Sequence, residues 1–297
     1  MSISDLSALP VPDLIETLDY ETVLSEMISR YQTENPDFDA LLESDPIYKA
    51  LEVASYFRVK DRQRVNEAAK AVMLAYASGS DLDQIAARYN VQRQIITPAD
   101  QTTVPPTAAV SESDDDFRRR TMLSFEGLSV AGPSQSYISH ALSADATIAD
   151  ATAIMPSAGQ VLVTLLSRTG DGSATQSQID TVTAALSAEE VRPLTDELTV
   201  QSAKITDYAV SATLYMKDGP EQQPILSAAN NALDSYVSSQ QRLGRSIRCS
   251  AIIATLSVTG VQYVELTQPA SDIVLNKQQA SYCTAKTIIN GGVDDSS

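Results

Sequence analysis

The sequence has no tryptophan, four phenylalanines, two cysteines and one histidine. Each shortage excludes something. Without tryptophan, the core must rest on Ala, Leu, Ile and Val, with twelve tyrosines supplying most of the aromatic area; a buried tyrosine keeps its hydroxyl near a polar partner. Two cysteines, Cys249 and Cys283, make neither a disulfide framework nor a zinc cluster. They point to a reducing compartment, with a single Cys249–Cys283 bridge left open. The lone His140 would have to serve any Ser-His-Asp or Cys-His arrangement, yet it lies in YISHALS with no flanking motif, a surface or boundary position on a helix. No run approaches the ~18 apolar residues of a membrane span. The opening MSISDLSALP lacks the basic and apolar regions of a signal peptide.

Positive charge is also scarce, with 21 Lys and Arg against 38 Asp and Glu and a formal net charge of −17. Nucleic-acid binding depends on neutralising phosphates, so this balance argues against DNA or RNA. It argues equally against an anionic membrane surface and favours partners with basic patches. The charge is uneven: residues 1–57 carry twelve acids against Arg30 and Lys49, whereas residues 58–70 carry Arg58, Lys60, Arg62, Arg64 and Lys70 against Asp61 and Glu67.

Motifs of catalysis are missing as well. The sequence holds no GxSxG, Walker A, GxGxxG or HExxH. Gly170-Asp171-Gly172 reads as a tight turn. Three consecutive acids, Asp114, Asp115 and Asp116, fan out from a helix and do not converge as a hard cation requires. The acid pairs Asp37/Asp39 and Glu189/Glu190 have nothing near them that indicates a pocket. No catalytic residue, metal ligand or cofactor is assigned, and the chain is not expected to be an enzyme.

What is present is helical periodicity followed by strand alternation. At 297 residues, 43% hydrophobic and 20% charged, the chain is long enough for two or three folded domains. Residues 1–18 read as an extended arm. A helix begins after the N-cap candidate Asp19, with Val23, Leu24, Met27, Ile28 and Tyr31 on one stripe, and stops at Asn35-Pro36. Asp45-Pro46 opens the longest helix, expected to run to Ser78 with Gly79 just beyond its end. Ile47, Leu51, Ala54, Val65, Ala68, Val72 and Tyr76 sit near a heptad seam interrupted by Arg58 and Asp61. Such a helix packs within the chain or against another chain. A short helix follows from Asp81 to Tyr89, with Asn90 able to take the left-handed cap.

Residues 98–113 form a Pro- and Thr-rich connector. DDDFRRR then places each acid four residues before an arginine, which suits helical ion pairing. Ser134 can cap a further helix through about Leu142. From residue 145 a β-β-α-β pattern appears: ATIADATAIM, QVLVTLLS, a helix at about 175–188, and ELTVQSA. A second such unit opens with the period-two run KITDYAVSATLYMK. It continues with helix at about 225–242 and through RSIRCSAIIATLSV, then the strand GVQYVELTQP and one or two strands more. The fold class is α+β, an all-helical N-terminal region followed by two small mixed α/β domains. The boundaries are 1–97 (helical, bundle-forming), 98–144 (connector and helices), 145–203, 204–290, and a polar tail at 291–297.

DLDQIAARYNVQRQII imitates a helix-turn-helix, but its second helix, 92–97, would end at Pro98 after barely one turn. A DNA-binding regulator is the rival reading. The same residues carry a likeness of another kind. Leu74-Ala75-Tyr76-Ala77, Gly79, Asp81-Leu82-Asp83, Ile85-Ala86 and Arg93 resemble a signature of the baseplate J-like proteins of contractile-tailed phages and phage-tail-like bacteriocins. Glu112, Asp114, Phe117, Arg118 and Arg120 resemble a second signature, followed by Ser129, Gly132, Pro133 and Tyr137. Pro156, Gly159 and Val161, then Arg192 through Val200, then Gly260, Val261, Val264, Leu266 and Pro269 continue the likeness in order. It covers roughly residues 60–275. Tyr89-Asn90 stands where the family often has a glycine, and Thr259 replaces the first half of a common glycine pair.

The resemblance implies a structural wedge component of a sixfold baseplate ring around the tail tube, one that switches packing when the sheath contracts. Its partners would be further copies of itself and a neighbouring wedge protein, and indirectly tube or hub, sheath and fibres, with neither nucleic acid nor membrane. It would be made in the host cytoplasm and end in the virion tail or bacteriocin particle. Leu51, Val65, Val72, Tyr76, Leu82 and Ile85 are the expected bundle contacts.

Overall fold

A computed structural model describes residues 12, 14–37, 42–128, 134–188, 191, 195–219 and 222–293. The chain divides into two compact units, Met1–Arg93 and Gln94–Ser297. The architecture is α+β, helices first and sheets after.

The first unit holds α1 (Tyr20–Glu34), α2 (Pro46–Ala71) and α3 (Gly79–Ala87). Asp19 caps α1 as expected, its carboxylate accepting from Thr22 N–H at 2.9 Å. α1 lies on α2 through Val23 and Leu24, both buried. Ser55, also buried, donates to Met27 Sδ at 3.2 Å, and the Tyr20 hydroxyl donates to the Glu52 carbonyl. The segment ahead of α1 is tied to the same helix. Asn66 donates to the Glu16 carbonyl and accepts from its N–H, and Arg62 pairs with the Glu16 carboxylate at 2.7 Å.

The expected 46–78 helix is shorter. α2 ends at Ala71 with Val72 as its cap, giving a rod of about 39 Å. Residues 72–77 tighten into turns, with Tyr76 and Ala77 N–H both donating to the Met73 carbonyl. Ser78 is extended, and Gly79 (φ +51°) opens α3 instead of closing α2. The physical reason is tertiary. The turn buries Ala77, and α3 buries Leu82, Ile85 and Ala86, a gain that helical periodicity alone does not register. Asn90 adopts φ +58°, the expected left-handed cap. Residues 95–97 are not helical: Ile95–Thr97 is strand β1.

The second unit opens with β1 paired antiparallel to β2 (Val110–Ser111). α4 (Asp114–Leu123) is capped by Ser113, and α5 spans Ser134–Ala144. Next come β3 (Ile148–Ile154), β4 (Gln160–Ser167), α6 (Gln176–Leu186) and β5 (Glu197–Ser202). They form a sheet of order β3-β4-β5, antiparallel then parallel. A parallel neighbour requires a crossover, and α6 supplies it. Thr175 and Gln178 make a reciprocal capping box at its start.

Only Ala203 separates β5 from β6 (Lys204–Met216). α7 (Gln222–Gln240), α8 (Cys249–Leu256), β7 (Val261–Gln268) and β8 (Gln279–Val293) complete a sheet of order β7-β6-β8. The period-two reading of β6 holds: Tyr208, Val210, Ala212, Leu214 and Met216 are buried in alternation. The first four pack with Ala229 and Leu233 of α7 and Ile252 and Leu256 of α8.

Three details differ from the sequence reading. α7 starts at Gln222 with Pro224 inside its first turn, where a missing N–H is harmless. Residues 245–248 are not helical; α8 begins at Cys249, because Ile247 bridges to Ile273 in both directions. Gly291–Val293, expected as tail, belong to β8, since β6 is long enough to pair with it as far as Val293. Residues 294–297 lie outside the described residues, as do Asp39, Glu189, Glu190, Gly132 and Pro133.

Candidate functional site

Two features stand out: a charged junction inside the second unit, and an apolar face on α2. The junction begins with DDDFRRR. Asp116 and Arg119, each expected to pair along α4, find their partners elsewhere. Asp115, on the surface, pairs with Arg118 one turn away at 2.6 Å. Asp116, Arg119 and Arg120 turn to tertiary partners. Asp116 sits between Arg168, at 2.5 Å, and Arg242. Arg119 reaches Asp150 at 2.8 Å. Arg120 pairs with Glu112 at 2.5 Å, both buried, and its guanidinium lies over the Phe117 ring. Glu112 also accepts from Gln94 N–H at 2.9 Å. The cavity lined by Asp116, Arg119, Arg120 and Arg168 measures about 10 Å³, room for about one water.

The fanning expected of the three aspartates is therefore realised in part by Asp115 facing out and Asp116 facing in. Among the described residues no group of three or more His, Cys, Asp and Glu side chains is placed to hold a metal ion. Burial pushes the Asp116 carboxyl up, but Arg242 and Arg168 outweigh it and hold it below the usual carboxylate value. A depressed folded pKa gives stability that is present above the unfolded pKa and lost as pH falls through the folded one. Thermal unfolding of the second unit should thus hold its midpoint from pH 7 down to about 4, then fall more steeply than in Asp116→Asn. Scans at stepped pH check this.

The other sequence candidates are dispersed. His140 is half-buried on α5. Gly170-Asp171-Gly172 is a tight turn, with Asp171 accepting from Ser173 N–H and both glycines at positive φ. Asp37 is exposed. Cys249 and Cys283 are free thiols, and burial raises the pKa of both, which leaves little thiolate for nucleophilic chemistry. The strand at 95–97 occupies the place of the helix that a major-groove reading needs. No helix among the described residues is long and apolar enough to cross a membrane.

The second feature is the side of α2 turned away from α1. Val53, Tyr56, Phe57 and Val65 are 52–62% exposed, and Val72, at the helix end, is 70% exposed. Tyr56 and Phe57 meet edge to face at 5.5 Å, and Lys60 lies over the Tyr56 ring. Of the expected bundle contacts, Val65 and Val72 belong to this face. Leu51 and Tyr76 are half-buried, and Leu82 (0% exposed) and Ile85 are buried within the folded chain. Although it took in Ala54, Val65, Ala68 and Val72, which are exposed as well, the heptad seam ran past Val53, Tyr56 and Phe57. Their signal in the sequence was a second apolar stripe at spacings of three and four.

Signature residues take structural roles. Arg93 pairs with Asp83 at 2.8 Å and donates to the Gly79 carbonyl, closing the turn around α3. Gly159 and Gly260 both have positive φ, and a Cβ at Gly260 would strike Ile225 at 2.5 Å.

The chain matches the baseplate J-like N-terminal domain over residues 43–100, the central domain over 129–202 and the C-terminal domain over 208–289. It is 50% identical over 302 residues to baseplate protein J of Escherichia phage P2, covering 99% of this chain and 100% of that one. A looser likeness is to a chain of the anti-feeding prophage baseplate, at 15% identity and TM-score 0.40, covering 63% of this chain and 46% of that one. With three successive domain matches and half its residues identical to a full-length relative, the chain belongs to the baseplate J-like family.

Proposed function

We propose that the protein, a baseplate structural component, is a wedge subunit of the sixfold ring around a contractile tail tube. The observation that carries this reading is the outward face of α2. A helix that already spends one side on α1 presents Val53, Tyr56, Phe57, Val65 and Val72 to solvent on the other. Exposed apolar clusters with aromatic anchors mark protein interfaces. In this reading further copies of the chain and a neighbouring wedge protein meet that face. Leu51 and Tyr76 border it, while Leu82 and Ile85 hold α3 in place behind it. The α/β domains link adjacent wedges.

The protein works by alternative packing of interfaces and not by bond chemistry; two discrete arrangements are how packed rings switch on sheath contraction. It resides in the virion tail or bacteriocin particle, with tube or hub, sheath and fibres as indirect partners and neither nucleic acid nor membrane among them. The test is co-purification. The tagged chain, expressed with the neighbouring tail genes, should elute as a defined hetero-complex containing more than one copy, with its mass read by light scattering. A lone monomer without partners from that cluster would overturn the reading.

A further inference from the structure

The two α/β domains of the second unit meet along a narrow seam. Its apolar part is small: Leu166 and Ala203 from one side and Leu243 and Ala280 from the other, flanked by Ala149 and Ile205. The covalent link is Ala203 alone. By contrast, the core of the β7-β6-β8 domain is continuous and deep. A patch of mostly alanine and leucine does not fix an angle, because apolar contact is non-directional. Hydrogen bonds and ion pairs are directional, and the seam is crossed by several. Arg242 reaches both Asp116 and the Ala149 carbonyl. Leu243 N–H donates to Asp150 at 3.1 Å, and Thr152 donates to the Lys277 carbonyl at 2.6 Å.

We infer that the Asp116–Asp150 cluster is an interdomain lock, which holds the two α/β domains at one angle and releases them as separately folded bodies when it is broken. The charge arithmetic supports release over simple weakening. Asp116 comes from α4, which belongs to neither sheet. It is shared by Arg168, which follows β4, and Arg242, which follows α7. Arg119 stands beside them on Asp150. Asp116 and Asp150 therefore stand between Arg242 on one side of the seam and Arg119 and Arg168 on the other, which would otherwise repel it. With Asp116 neutral, Arg168 and Arg242 face each other with no anion between them. The lock is a property of the chain alone, independent of what the chain assembles into.

The experiment is hydrogen exchange on the full chain, read at single-amide level, for wild type, Asp116→Asn and Arg242→Met. The second variant leaves Arg168 paired with Asp116, so it does not strand a buried charge. Both should raise exchange at the Leu243 amide, which donates across the seam to Asp150, by about tenfold or more. Amides in the middle of β4 and β6 should stay within about twofold, the signature of local opening. If seam and sheet centres rise together, the cluster stabilises the fold as a whole and is not a lock. If neither rises, the angle is set by something else.

Discussion

Phe57→Asp is expected to weaken association with the assembly partner by on the order of 100-fold, while leaving the free chain folded. Both halves follow from where Phe57 stands. It is 57% exposed, on the side of α2 opposite the contacts with α1, so aspartate there removes little internal packing. Surface changes away from buried features usually shift stability by within about 0.5 kcal/mol. In the proposed complex the same position would be desolvated. Aromatic anchors at interface centres cost about 2 kcal/mol or more when truncated, and an unpaired buried carboxylate adds to that. Circular dichroism should give an unchanged melting curve, and co-purification with the partner should fail. Val72→Asp, at 70% exposure, should behave alike. Leu82→Asp is the contrast: with Leu82 0% exposed, it should unfold the first unit before any question of assembly arises. If Phe57→Asp and Val72→Asp both assemble normally, the outward face of α2 is not the interface.

Glu112→Ala should destabilise the second unit by about 3–5 kcal/mol, the usual cost of stranding one partner of a buried ion pair. Glu112 and Arg120 side chains are 2% and 8% exposed, so neither solvent nor salt can take over the missing charge. The Gln94 N–H loses its acceptor as well. Arg120→Met on the same background should recover much of the loss, since replacing both partners by apolar groups is often close to neutral. Urea denaturation of the single and double variants measures this. Equal stability in the two would mean that Arg120 finds another anion.

The elements of the second unit were legible because strands and helices there declare themselves by different periods. KITDYAVSATLYMK alternates cleanly, and β6 buries every second residue. Capping chemistry read true at Asp19 and Asn90. Legibility failed where long-range contact overrides local preference. The run through Ser78 is good helical sequence, yet it breaks at Ala71 because Ala77 and α3 gain burial by turning back. Residues 92–97 look like the start of a helix, but Ile95–Thr97 has a strand partner in Val110–Ser111. The charged run of α4 misled at Asp116. Its spacing fits pairing along the helix, whereas Asp116 bonds to residues 52 and 126 positions away. No local rule could supply those partners. The candidate interface was half legible: Val65 and Val72 lay on the seam, and Val53, Tyr56 and Phe57 were read past.

The central strand β6 pairs with β7 on one edge and with β8 on the other. Sixty-two residues lie between Met216 and Gln279. At cellular synthesis speeds that interval is roughly 3–13 s. α7, α8 and β7 emerge within it and can cover the apolar side of β6 as they appear. The edge that awaits β8 cannot be satisfied in that time, and an unpaired strand edge templates pairing with any other chain nearby. While many copies are made side by side for assembly, each nascent second unit passes through a stage in which its most adhesive backbone is open. Successful folding at high expression therefore depends on how the cell shields that edge during translation.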